Sequence, residues 1–170
     1  MIRDRGLLIA EIPHLRRYAL ALTRDPDLAD DLVQTCLERG LSRLKLWQPS
    51  RRIRPWLFTI MHNLHVDMVR HSARRGVSLP LDEMPEQPSQ AAGQEARLNV
   101  RAVLDEIDNL PREQRDVLIL IGIDELSYAE AAGVLSIPLG TLMSRLHRAR
   151  SRLRERLGMA GSRPPIRRVK

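Results

Sequence analysis

Aromatic residues are scarce in this 170-residue chain, which has one Phe, two Tyr and two Trp, 3% in all. Strands favour aromatic and β-branched side chains, so this scarcity, beside abundant Leu, Ala and Arg, predicts an all-α protein. It also argues against stacking on aromatic platforms as the main mode of binding single strands. The one cysteine, Cys36, excludes an intramolecular disulfide and a cysteine-rich zinc site, and its apolar helical surroundings make it a small buried hydrophobe. No apolar run approaches the length of a membrane span, and the first residues, MIRDRGLLIAEIPHLRR, meet charges too soon for a signal peptide. A cytoplasmic protein without membrane insertion is expected. Acids are in the minority, 21 against 28 Lys and Arg, and the net charge of +7 suits a polyanionic partner.

The most informative stretch runs from residue 127 to 157, SYAEAAGVLSIPLGTLMSRLHRARSRLRERL. Ser127 and Glu130 form a capping box that opens a short helix carrying Ala129, Ala132 and Val134. The helix breaks over residues 135–137, and Pro138 suits the first turn of the next one. Leu142, Leu146, Ala149, Leu153 and Leu157 recur at helical spacing and define the face that packs on the domain. Thr141, Ser144, Arg145, Arg148 and Arg152 fall together away from that stripe. A solvated amphipathic helix would mix its signs, yet residues 140–170 carry ten Arg or Lys and one acid, Glu155. The segment therefore reads as a helix-turn-helix whose second helix presents arginines to a DNA major groove.

Upstream, a helix is expected from about residue 13 to 23, with Leu15, Tyr18, Ala19 and Leu22 inward. Asp25 and Pro26 read as N-cap and first position of a second helix to about residue 44, with Leu28, Leu32, Val33, Cys36 and Leu37 inward. Its outer face shows Asp27, Asp30, Asp31, Gln34 and Glu38. Acids in the first turns suit the helix dipole, but their persistence to Glu38 in a basic protein favours a docking surface for a basic partner. The loop at 45–53, with Trp47, Arg51 and Arg52, has the chemistry to hold a phosphate and an unstacked base. Pro55 then opens a third helix to about residue 75. Trp56, Leu57, Ile60, Met61, Leu64 and Met68 face in, while Thr59, Asn63, Asp67, Arg70 and Arg74 face out, either to read bases and grip phosphate or simply to meet solvent. His62, His65 and His71 find no further ligand set at motif spacing, so no metal and no cofactor is expected.

Residues 76–95 hold three prolines and four acids and no Lys or Arg, the composition of a flexible acidic linker. The chain thus divides into a small helical domain over 1–75, the linker over 76–95, a second helical domain over 96–158 and a basic tail over 159–170. The second domain is expected to start with a helix from 96 to about 108. Another follows from Pro111, whose apolar run 117–121 must be core.

Three strings taken together resemble the extracytoplasmic-function group of bacterial sigma factors. DPDLADDLVQTCLERG is similar to conserved region 2.2, IRPWLFTIMHNLHVDMVR to regions 2.3 to 2.4, and the stretch 110–155 to region 4. ALTRDPDLADDLVQ and RPWLFTI are similar to general-stress members from alphaproteobacteria. The resemblance implies that Asp27, Asp30, Asp31, Gln34 and Glu38 dock on the β′ clamp helices of core RNA polymerase, with the β flap as a further contact. It implies minus-10 recognition by Trp47, Arg51, Arg52, Asn63, Asp67 and Arg70, and minus-35 recognition by Thr141, Ser144, Arg145, Arg148 and Arg152. It further implies control by an anti-sigma factor, and no catalytic residue, since polymerase performs the chemistry. A sigma-like decoy that binds an anti-sigma factor without directing transcription is the alternative. Two positions depart from the family's wording. Met143 stands where Lys or Arg is common and cannot pair with guanine, which removes roughly 1–3 kcal/mol of base discrimination. Ser136 stands at the turn's usual glycine, and a left-handed backbone there would cost it about 1–2 kcal/mol.

Overall fold

In the computed structural model, residues 2–48, 52–74, 103, 105–123 and 126–157 are described, and all regular structure among them is helical. Helix α1 spans Ile2–Thr23, α2 Pro26–Arg43, α3 Ile53–Arg74, α4 Arg112–Ile123, α5 Tyr128–Val134 and α6 Leu139–Arg156, with a short 3-10 turn at Leu44–Leu46. The linker, the tail and most of the helix expected over 96–108 lie outside the described residues, as does Arg51.

Helix α1 begins well before the expected residue 13 and runs through Pro13, which removes a backbone bond to residue 9. Tertiary packing offsets that loss. Leu8 is buried in the core, and Glu11 accepts from Arg54 Nε at 2.6 Å. The α1–α2 corner follows the expected chemistry: Asp25 caps α2 by accepting from the Leu28 amide at 2.9 Å, with Pro26 in the first turn.

Helices α1, α2 and α3 pack on one another around Leu15, Tyr18, Val33, Cys36, Leu57, Phe58 and Met61. Tyr18 and Phe58 stack with ring centroids 4.6 Å apart. Gly40 lies where α2 meets α3, and a Cβ there would be 3.0 Å from the Leu57 side chain, which would have to give way. Helices α4, α5 and α6 form the second unit around Val117, Leu120, Ala131, Val134, Leu142 and Leu146. The two units are joined: α1 packs on α4, α3 packs on α5, and their buried side chains form one continuous cluster.

Candidate nucleic-acid and polymerase interface

The turn between α5 and α6 sets the direction of α6. Ser127 accepts from the Glu130 amide, and Glu130 reaches back to the Ser127 amide at 2.9 Å, so the capping box opens α5 as expected. At its other end the Ser136 amide bonds Gly133 O and the Ile137 amide bonds Ala132 O, the paired arrangement of a Schellman turn. That turn places Ser136 at φ 54°, left-handed, where glycine would be unstrained. Two details differ from expectation. Pro138 is the N-cap of α6, with extended backbone, and Leu139 is the first helical residue, while Ala129 is exposed and Ala131 takes its place in the core. The reason is register: a seven-residue helix has one inward stripe, and Ala131, Ala132 and Val134 fill it.

Helix α6 sits on the core through Leu142, Leu146 and Ala149, which leaves Ser144, Arg148 and Arg152 exposed and Thr141 half-buried on its outer side. Arg148 Nη2 donates to Ser144 Oγ at 2.9 Å, which fixes the arginine along the helix. Arg145 is held differently. Its guanidinium lies 2.7 Å from Glu113 of α4, and its side chain is 21% exposed against 68% for Glu113. Beside them the buried Asp116 carboxyl is pushed above the usual range by desolvation, which the charges of Arg112, Arg115 and Arg145 only partly oppose. Met143 and Leu139, one turn apart, are exposed on the same helix.

On the first unit, Asp27, Asp30, Asp31, Gln34 and Glu38 are all exposed along α2. Asp30 is gripped by Arg16, which donates from Nε at 3.0 Å and from Nη2 at 2.8 Å, and Gln34 donates to Glu38 at 3.1 Å. Asn63, Asp67 and Arg70 are exposed on α3 in a stripe that continues through Thr59 and Trp56 towards its N-terminus. There α5 covers it. A groove of about 620 Å³ separates Trp47, Arg52, Trp56 and Thr59 from Ala129, Glu130 and Gly133. Trp47 is half-buried against the core, and Arg52 donates to both Glu130 carboxylate oxygens at 3.1 Å.

The charged contacts between residues far apart, Arg52 with Glu130 and Arg145 with Glu113, left no signal in the sequence, since neither pair shares a helix. The sequence assigned no role to His62 and His65. Both are buried: His62 Nδ1 lies 3.2 Å from Tyr18 Oη, and burial, followed by the Arg112 charge, brings both imidazoles down to about 4.

A two-part helical protein with a helix-turn-helix in its second part is the class that this fold and these surfaces define. Residues 8–62 match the Sigma2 domain of PhyR, and residues 101–153 match Sigma-70, region 4. The chain is 37% identical over 158 residues to the ECF RNA polymerase sigma factor EcfG of Rhodopseudomonas palustris (strain TIE-1), covering 93% of this chain and 87% of that protein. It is 34% identical to the RNA polymerase sigma-E factor of Streptomyces coelicolor, covering 84% and 79%. Among solved structures it is similar to the sigma factor RpoE of Bartonella quintana in complex with the anti-sigma factor NepR, with a TM-score of 0.81 and 29% identity over 93% of this chain and 98% of that one. This chain belongs to the extracytoplasmic-function family of bacterial RNA polymerase sigma factors.

Proposed function

We propose that this protein is a promoter-specificity subunit that joins core RNA polymerase, directs it to a set of promoters and is held in check by an anti-sigma factor. The observation that carries this reading is the seating of α6: its apolar stripe is buried while Ser144, Arg148 and Arg152 face solvent without an acid among them. Arginines on an outward helix face suit phosphate and guanine edges. Asn63, Asp67 and Arg70 on α3 would meet the minus-10 element, with Arg52 and Trp47 beside it. The exposed acids of α2 would meet the basic partner, core polymerase, with Asp27, Asp31, Gln34 and Glu38 available and Asp30 released from Arg16 on docking. The work would be binding, with the chemistry left to polymerase and the protein beside it in the cytoplasm. Because α5 lies over the N-terminal end of the α3 stripe, the two units would have to part for that stripe to meet DNA along its whole length. Control by an anti-sigma factor is supported by the similarity to RpoE bound to NepR.

The match of residues 8–62 to a domain of PhyR favours a second reading, a sigma-like module that binds an anti-sigma factor without directing transcription. Co-elution of the full chain with core polymerase at moderate salt, without DNA, separates the two. A stoichiometric complex supports the promoter-specificity reading, and a folded protein that elutes alone supports the second.

A further inference from the structure

Buried polar groups in folded proteins are nearly always paired, so two unpaired ones around a single cavity need an explanation. Such a cavity lies where the two helical units meet. It has a volume of about 150 Å³ and is walled by Arg24 at the end of α1, by His65 of α3, by Asp108, and by Arg112 and Arg115 of α4. His65 is 4% exposed and its Nδ1 has no hydrogen-bond partner. Arg112 Nη2 is likewise buried and unpartnered, and its nearest acid, Asp116, is at 3.7 Å. Arg115, half-buried, has no ion pair among the described residues. Asp108, the carboxylate in the wall, is already 2.6 Å from Arg24. With Asp108 beside Arg24 and Asp116 beside Arg112, Arg115 is the guanidinium left over, so one uncompensated positive charge sits on α4 opposite His65.

Water would satisfy the orphan donors but not the charge. An oxyanion would do both, since guanidinium forks match its oxygens geometrically. The space is well below the roughly 300–1,000 Å³ of sites that enclose drug-sized molecules, which excludes a whole nucleotide and admits a group the size of phosphate. We propose that this cavity binds a small tetrahedral oxyanion, inorganic phosphate or the phosphate of a small phosphomonoester, held by Arg112 and Arg115 on one side and His65 on the other. The positive potential is already visible in the protein itself. Burial first, then the charges of Arg112, His62 and Arg115, lower the His65 pKa, and an anion placed among the arginines opposes the charge part of that effect. Because its ligands come from both units, a bound anion would clamp α3 to α4 and favour the joined arrangement.

The test is a titration of the full chain with sodium phosphate against sodium chloride at matched ionic strength, following the imidazole resonances by NMR and the thermal midpoint. The expected result is a saturable shift of His65, with the exposed His71 and His147 unmoved, and a rise in midpoint. Arg115→Gln should weaken binding by about tenfold or more, as loss of a charged hydrogen bond does, while Arg39→Gln, an equal loss of charge at an exposed position of α2, should leave it unchanged. Arg115→Lys, which keeps the charge and loses the fork, should fall between and serves if the glutamine variant does not fold. Glycerol phosphate as a second probe separates the sources: tighter binding than phosphate identifies a phosphomonoester, and exclusion identifies the inorganic ion. No saturable His65 shift, or equal weakening by Arg115→Gln and Arg39→Gln, would overturn the proposal. So would a His65 shift produced by a short DNA duplex and not by phosphate, because Arg115 would then be a nucleic-acid contact.

Discussion

The Arg52 guanidinium meets the Glu130 carboxylate across 78 positions of sequence, and that same carboxylate closes the capping box on Ser127. One acid thus starts α5 and joins it to the first unit. Burial works to raise the Glu130 pKa, but the hydrogen bonds from Ser127 and the charge of Arg52 outweigh it and hold the carboxyl below its ordinary value. With Arg52 56% and Glu130 23% exposed, the pair itself is worth less than about 1 kcal/mol. Glu130→Ala should destabilise the protein by about 1 kcal/mol, mostly through the lost cap, and Arg52→Ala by a few tenths. A double-mutant cycle on thermal or urea unfolding should return a coupling of a few tenths of a kcal/mol, and strict additivity would remove the contact from the account.

Arg145 is paired with Glu113 in the free protein, and in the proposed promoter complex it would exchange that carboxylate for DNA. Arg145→Ala should weaken binding of a minus-35 duplex by roughly 1–3 kcal/mol while leaving core polymerase binding intact. Glu113→Gln should act in the opposite direction on total DNA affinity, because it releases the guanidinium and removes a negative charge near the phosphates. Fluorescence anisotropy on specific and scrambled duplexes reads both effects. Unchanged binding in Arg145→Ala would take this residue off the DNA face.

Asp31 is exposed on α2 without the guanidinium clamp that holds Asp30. Asp31→Lys should reduce affinity for core polymerase by about tenfold or more, since it places like charge against a basic partner. Duplex binding should be unaffected. Full retention of polymerase binding would show that the acidic face of α2 serves another partner.

Acid should loosen the junction of the two units. His62 and His65 have native pKa values of about 4 against an ordinary 6.5, so between these limits the unfolded chain binds protons that the folded one refuses. Stability is then fully present above about pH 6.5 and falls as pH drops towards 4. The groups facing them are Tyr18 and Arg24 of α1, Asp108, and Arg112 and Arg115 of α4. Asp108 and Asp116, raised by desolvation, act in the opposite sense at the acid end of the window, because the folded form takes their protons first. Thermal midpoints measured from pH 7 to 4.5 should therefore fall, and His65→Gln should flatten the profile. A flat profile in the parent protein would mean that the imidazoles are not shielded.

Ser136 occupies a left-handed turn. Ser136→Gly should raise stability by up to about 1 kcal/mol, the relief of a 1–2 kcal/mol penalty less the greater chain entropy of glycine in the unfolded state. The Tm is the readout. A fall in Tm would show that the serine side chain makes up for the backbone.

The sequence by itself determined what is local or periodic. The Ser127–Glu130 box, the Asp25–Pro26 start of α2 and the apolar stripe of α6 depend on neighbours within a turn or two, so residue type and spacing are enough. The left-handed strain at Ser136 was legible too, once the glycine expected there was missing. The start of α1 was not, because Pro13 is an N-terminal signal in isolation and is overridden by Leu8 and Glu11 packing on distant helices. Tertiary structure alone decided that His62 and His65 are interior groups at a junction. It also decided that Arg145 is turned towards Glu113 and that Arg52 lies on Glu130. The physical reason is the same for each: charge pairing and burial depend on where the chain returns in space, and a helical period carries no record of that.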